Sequence, residues 1–317
     1  MAKVLIVGLG FIATHAAAHL SKNNDVVVTY RSLEGVKGIY SKILEREYSV
    51  KLVKLDPIND LDEVRRLVKS SDTVINAVGV IKGGPADFKR AHVEVPRVLA
   101  RAIAEESPST MLIHLSASNV MGPIGQFVGE EARHCEGARP SNIYEETKCE
   151  GEKVVYNEAS RAGFPLAIVR PTFVYGRYAA HRQFALIYRL AKRGLVPRLS
   201  VNMMAISAPG LASLLEALHK ARPRLKYLYA TECRPVNLTE FFRLMAEALG
   251  VRYVKVPVPE FAVKLFTPRE LRPLYKYSKV IYDCAGTRSL VGDLTFREDE
   301  VRENALFLRE LDKLGLI

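Results

Sequence analysis

The sequence predicts a doubly wound α/β protein: a parallel sheet covered by helices on both faces, followed by a smaller C-terminal α/β region. Three observations carry that expectation. Short apolar runs alternate with helix-like segments through the first half, a glycine-rich turn joins the first run to the first helix, and the rhythm changes after Gly176.

Lys3–Gly8, Asp25–Tyr30, Val50–Leu55, Asp72–Ala77 and Thr110–Leu115 read as strands, with Val, Ile and Leu on both faces. Strands apolar on both faces belong to a sheet buried on both sides, which is how parallel strands occur. Helix-like segments Phe11–Ser21, Leu61–Lys69 and Ala86–Glu106 lie between them. Ser141–Ala162 continues as a long helix, and Leu166–Arg170 as a sixth strand ended by Pro171. Beyond Gly176, Ala180–Arg193, Pro209–Lys220 and Leu238–Leu249 read as helices and Tyr227–Thr231 as a strand. Pro257, Pro259, Pro268 and Pro273 punctuate an irregular stretch before the closing helix Glu298–Lys313. The expected division is a cofactor-binding part, 1–176, and a substrate-binding region, 177–317, with elements of 207–231 returning to the first sheet.

Composition narrows the function classes. No apolar run approaches the roughly 20 residues a membrane helix needs, and the apolar start runs straight into glycines. A soluble, cytoplasmic protein is expected, with no membrane partner. The net charge of +11 comes from Lys and Arg scattered among Asp and Glu, without a basic tail or stacking aromatics. That pattern suits anionic small molecules and argues against nucleic acid. Only Gln126 and Gln183 represent glutamine, a composition that fits a thermophile. Cys135, Cys149, Cys233 and Cys284 lie far apart with no paired motif, so isolated thiols and no metal site are expected.

Gly8-Leu9-Gly10-Phe11-Ile12-Ala13 follows a strand and opens a helix, the context of a dinucleotide-binding turn in a Rossmann sheet. Gly8 permits the tight turn and Gly10 a close approach of pyrophosphate to backbone, while Ala13 lets helix and strand pack closely. The helix N-terminus offers free N–H groups to the anion. At the end of the second strand, Arg31-Ser32 stands where an NAD site usually carries Asp or Glu, so NADP(H) is the expected cofactor, with NAD the alternative. Asp56 and Asn76-Ala77-Val78 close two further strands at the same edge.

Tyr144 and Lys148 stand four residues apart, on one face of a helix. A neighbouring ammonium favours phenolate and lowers a tyrosine pKa from about 10 toward neutrality, which would make Tyr144 an acid/base. Ser116 and Ser118 lie just past the fifth strand.

With these motifs the chain resembles the extended short-chain dehydrogenases/reductases, the group that holds nucleotide-sugar epimerases, dehydratases and reductases. The matching stretches are Gly8–Ala13, Asn76–Gly79, His114–Ser118, Tyr144–Lys148 with Glu152, and Val169–Gly176. The resemblance implies that Tyr144 is the acid/base, that Lys148 lowers its pKa and holds the nicotinamide ribose, and that Pro171 and Thr172 lie beside the nicotinamide. It also implies a serine bonded to the substrate oxygen, and a homodimer paired through the Tyr144 helix. Three departures stand out. The glycine loop is a residue short, Ala117 occupies the usual catalytic hydroxyl position, and His92 stands where Asn is common. Ser118 is the first choice to supply the hydroxyl, Ser116 the second. The expected activity is NADP(H)-dependent hydride transfer at a carbonyl or alcohol, on a small molecule such as a nucleotide sugar. The alternatives are an NAD-retaining sugar-nucleotide epimerase and a non-catalytic cofactor-binding scaffold. Arg177, His181, Arg182 and Arg189 are candidates to meet a diphosphate, whereas the apolar residues around Phe173, Phe184 and Phe261 would suit a sterol or other apolar alcohol.

Overall fold

A computed structural model of the chain describes residues 1–122, 127–129, 135, 137, 139–259 and 275–317. Seven strands form the central sheet: β1 Lys3–Val7, β2 Asp25–Tyr30, β3 Lys51–Lys54, β4 Thr73–Asn76, β5 Met111–Leu115, β6 Leu166–Pro171 and β7 Leu225–Ala230. Their order is β7-β6-β5-β4-β1-β2-β3, and every pair is parallel. The order reverses between β1 and β4, so a crevice opens there beyond the strands' carboxyl ends, where such sheets bind ligands.

The two-faced apolar pattern has its physical counterpart in two packed layers. Leu5 and Val7 of β1 face a cluster with Leu99 and Ile103, while Val4 and Ile6 face another built around helices Phe11–Leu20 and Ala208–Ala221. The expected return of 207–231 is visible as that second helix and as β7, which pairs with β6 from Leu225↔Leu166 to Ala230↔Pro171.

The segment read as one helix, Ala86–Glu106, is three: Pro85–Lys89, a π turn Arg90–Glu94, and Val95–Glu106. Pro96 has no N–H to give the His92 carbonyl, so the α ladder breaks there, and Val95 N–H bonds back to Arg90 O instead. A helix over Val36–Glu47 is also present that the apolar spacing did not announce. Among the described residues, no helix is long and apolar enough to cross a membrane.

The expectation of isolated thiols is corrected. Cys135 is bonded to Cys149 and Cys233 to Cys284. The pairing depends on segments remote in sequence: strand Phe127–Val128 pairs with Ile281–Tyr282, next to Cys284, and Cys149 sits on helix Ile143–Ala162.

Candidate active site

The turn after β1 builds a cradle. Gly8 has φ +100, and a Cβ there would come within 2.9 Å of Val78 Cγ2 and 3.2 Å of the Val78 backbone. Only glycine lets the β1 and β4 loops approach this closely. Gly10 is the opposite case: its backbone is extended, and a Cβ would meet nothing within 4 Å. Gly10 therefore faces open space, at the N-terminus of helix Phe11–Leu20, which carries unbonded N–H groups suited to an anion.

That space is a cavity of about 390 Å³, lined by Gly8, Gly10, Phe11, Arg31, Asp56, Ala77 and Val78 among others. The remaining predicted cofactor residues sit behind it. Ala13 is buried under the helix, and Ile12 packs against the core. Asn76 is buried at the end of β4, where its carbonyl accepts Val78 N–H at 3.2 Å and its amide donates to His114 Nδ1 at 3.1 Å. Ser32 Oγ accepts the N–H of Glu34, capping a turn. Two charged residues not anticipated from the sequence join the lining. Lys37 stands close to Arg31, and partial desolvation together with that guanidinium holds its ammonium below the usual value. Arg90 grips both carboxylate oxygens of Asp56 at 2.9 Å. The open cradle, the helix N-terminus and these cations fit a phosphate-bearing dinucleotide.

A larger cavity of about 970 Å³ meets the first along the 79–83 loop. Gly79 and Val80 line the smaller space, while Ile81, Lys82 and Gly83 line the larger. Its wall includes Ala117, Ser118, Asn119, Tyr144, Glu145, Pro171, Thr172 and Phe173. Pro171 and Thr172 thus face the larger cavity, at its border with the sheet edge. Ser118 is on the wall, whereas Ser116 is buried behind it with an unpartnered Oγ. Arg182 also reaches this wall. His181 lines the smaller cavity, edge-on to Phe11, and Arg177 and Arg189 line neither. Phe184 lies in the core, stacked on Phe173, and Phe261 lies outside the described residues.

Helix Ile143–Ala162 carries Tyr144 and Lys148. Asn142 caps its start by accepting Glu145 N–H, and Gly163 ends it in the left-handed conformation. Lys148 is buried and donates to Leu115 O at 3.0 Å. Burial lowers its pKa to about 8, against a raising effect from Glu152. Glu152 in turn holds Arg170 of β6 in a buried two-point ion pair, at 2.9 and 2.6 Å. The phenol of Tyr144 departs from the expected lowering. Burial and the adjacent Glu145 carboxylate push it up to about 12, and Lys148 turns its ammonium to the β5 carbonyl.

Glu145 is a further residue the sequence left unnoticed. Its carboxylate, on the cavity wall, accepts from Ser141 N at 2.7 Å, Ser141 Oγ at 2.8 Å, Asn119 and the Tyr277 hydroxyl, with Lys276 at 3.6 Å. These donors hold it below the usual carboxylate range despite burial. Tyr277 and Lys276 lie more than 130 positions away in sequence, so no local signal marks the contact.

Residues 4–203, more than half of the chain, match the family model described as the NAD dependent epimerase/dehydratase family. The chain belongs to that family. A UDP-glucose 4-epimerase of Vibrio cholerae is 24% identical over 281 residues, covering 83% of this chain and 80% of its own. Among solved structures, UDP-glucuronic acid 4-epimerase from Bacillus cereus, in complex with UDP-glucuronic acid and NAD, superposes with a TM-score of 0.77 at 16% identity. That match covers 97% of this chain and 99% of the other. UDP-glucose-4-epimerase from Stenotrophomonas maltophila, with bound NAD and formylated UDP-arabinopyranose, gives 0.77 at 17% identity, over 99% of this chain and 100% of that one. At these identities the likeness establishes a shared fold, and the epimerase/dehydratase family model places the chain among NAD-dependent enzymes.

Proposed function

We propose that this protein is a nucleotide-sugar epimerase working through a nicotinamide dinucleotide held over Gly8–Gly10. The observation that carries the reading is the placement of Tyr144 and Lys148 at the junction of the two cavities. Tyr144 faces the larger one, while Lys148 Nζ lies beside Gly79 of the smaller, 3.5 Å from where a Cβ would stand. The family and its epimerase relatives supply the reaction class. A cavity of about 970 Å³ has room for a sugar to present either face to one acid/base, as epimerisation requires.

The nicotinamide, when bound, accepts and returns the hydride. The protein's own part is the proton. As a phenolate, Tyr144 would accept the proton of the sugar hydroxyl, and the phenol so formed would give a proton back to the same oxygen when the hydroxyl is restored. Lys148, one turn along the same helix, lies with Nζ beside Gly79 on the cofactor side, where it would hold the ribose next to the nicotinamide. Ser118 bonds the same substrate oxygen, in place of the hydroxyl that Ala117 lacks. Arg182 and Lys276 bring positive charge to the wall that meets the diphosphate.

Arg31 and Lys37 favour a second reading, an NADP(H)-dependent reductase, because Arg31 follows β2 and Lys37 stands beside it on the cavity lining, where a 2′-phosphate would sit. One experiment separates the two. The dinucleotide released by denaturing the purified protein is identified, and the protein is incubated with UDP-glucose, UDP-glucuronic acid or UDP-N-acetylglucosamine without added cofactor. Retained NAD and appearance of the C4 epimer by proton NMR support the epimerase. Absence of epimer, with net NADPH oxidation by a keto-sugar nucleotide, replaces it with the reductase.

A further inference from the structure

We infer that His92 is a positioning residue, a neutral imidazole that ties the cofactor-side loop after β4 to the helix of Tyr144 and fixes the pose of the phenol. The inference rests on the reading of Tyr144 as the acid/base.

The geometry is three-sided. His92 Nε2 accepts Val80 N–H at 3.2 Å, in the loop that borders both cavities. An acceptor nitrogen carries no proton, so the proton sits on Nδ1, which donates to Thr147 Oγ1 at 2.9 Å. Thr147 stands between Tyr144 and Lys148, and passes its own hydroxyl proton to the Ile143 carbonyl at 2.7 Å. The ring edge meets Tyr144 with centroids 5.2 Å apart at 89°, a favourable edge-to-face arrangement. Phe88 completes a triangle of rings, 6.3 Å from Tyr144 at 87° and 5.7 Å from His92.

The backbone is arranged to bring this ring into place. His92 lies in the π turn that Pro96 enforces, and its carbonyl abuts Gly151 of the Tyr144 helix. A Cβ at Gly151 would stand 2.1 Å from His92 O, so glycine is what lets the two helices touch here. His92 is 1% exposed, and burial with the nearby Lys148 charge drives its pKa to about 3. With Nε2 engaged by Val80 N–H and Nδ1 by Thr147 Oγ1, neither ring nitrogen is turned to the larger cavity, which leaves the imidazole the role of brace. Asparagine, the residue expected at this position, has no ring to meet Tyr144.

Two measurements test this. In long-range nitrogen–proton NMR at neutral pH, His92 is expected as the Nδ1–H neutral tautomer, its signal identified by loss in His92→Asn. An Nε2–H or charged ring overturns the hydrogen-bond assignment. In kinetics, His92→Phe keeps the ring against Tyr144 and removes both hydrogen bonds. Its kcat is expected to fall roughly ten- to a hundredfold, with KM and dinucleotide binding within about twofold. Thr147→Val cuts one of those bonds from the other end, so the double variant is expected to be no worse than His92→Phe. Wild-type kcat in His92→Phe, or multiplying losses in the double variant, overturns the positioning role. Tyr144→Phe separates the layers. If it remains active, the acid/base reading itself fails, whereas an inactive Tyr144→Phe beside a fully active His92→Phe removes only the inference drawn here.

Discussion

Gly10→Ala is the substitution that most directly asks whether the cradle after β1 holds a dinucleotide. Its effect on the fold should be small. The residue is extended, with φ −162 and ψ −175, and an added Cβ meets no atom within 4 Å. Alanine at a helix N-cap costs on the order of 0.5–1 kcal/mol relative to glycine, and reduced freedom of the unfolded chain returns about 0.4–1 kcal/mol. The two offset, so Tm is expected to stay within about 2 °C of the parent. A pyrophosphate lying on the turn, by contrast, occupies the volume the methyl would fill. At least a tenfold loss of nicotinamide dinucleotide affinity is expected, about 1.4 kcal/mol. Gly8→Ala gives the inverse pattern. Its φ of +100 and the 2.9–3.2 Å approach to Val78 predict roughly 2–5 kcal/mol of lost stability, before any ligand is considered. Melting curves and titrations followed by nicotinamide fluorescence, on both variants, read the two effects separately. Unchanged binding in a stable Gly10→Ala protein would refute the cradle, because the dinucleotide would have to lie elsewhere.

Three more outcomes follow from the same site. Lys148→Met is expected to abolish turnover yet raise Tm at pH 7. The lysine is buried with a folded pKa near 8 against 10.5, so its charge opposes folding below about pH 8 and the difference fades as pH rises toward 10.5. An equal gain in Tm at pH 7 and pH 10 would contradict this. Glu152→Gln leaves the Arg170 guanidinium in the core without its carboxylate, and about 3–5 kcal/mol of stability should be lost in chemical denaturation; a loss under about 1 kcal/mol would show that the buried pair contributes little. The disulfides close stretches of 14 and 51 residues, worth about 3 and 4 kcal/mol by loop entropy. Reduction should therefore lower Tm. It should also weaken substrate binding more than dinucleotide binding, since the segment from Lys276 to Tyr282, tethered at Cys284, lines only the larger cavity. Equal loss of both affinities would remove that distinction.

The parts of this protein legible in the sequence are those governed by local periodicity. β1, β4 and β5 are buried on both faces, so each reads as an unbroken apolar run, and Gly8–Ala13 could be placed because a strand and a helix flank it. What local pattern leaves open is tertiary pairing. Nothing in spacings of 14 and 51 residues distinguishes a disulfide from two thiols. Lys37 and Arg90 reach the cofactor cavity from helices whose sequence marks only a charged face. Tyr277 and Lys276 likewise join the wall of the larger cavity from more than 130 positions beyond Ser141 and Glu145.

The pair at Tyr144 and Lys148 shows where spacing stops being informative. Four residues of helix guarantee proximity, and proximity to an ammonium lowers a phenol's pKa only if the ammonium faces it and nothing nearer opposes it. Here the ammonium is bonded to the Leu115 carbonyl, and a carboxylate at the very next residue pushes the other way, with burial adding to it. At rest Tyr144 is therefore a neutral phenol, able to donate a hydrogen bond to an oxygen in the cavity, and the base role proposed for it would need positive charge brought to its side. Glu145→Gln tests this balance directly. Removing the charge, with the amide oxygen still accepting from Ser141 and the amide NH2 turned to the Tyr277 hydroxyl oxygen, should move the acidic limb of the kcat/KM profile to lower pH. An unmoved limb would mean that Glu145 anchors Tyr277 without setting the acid/base.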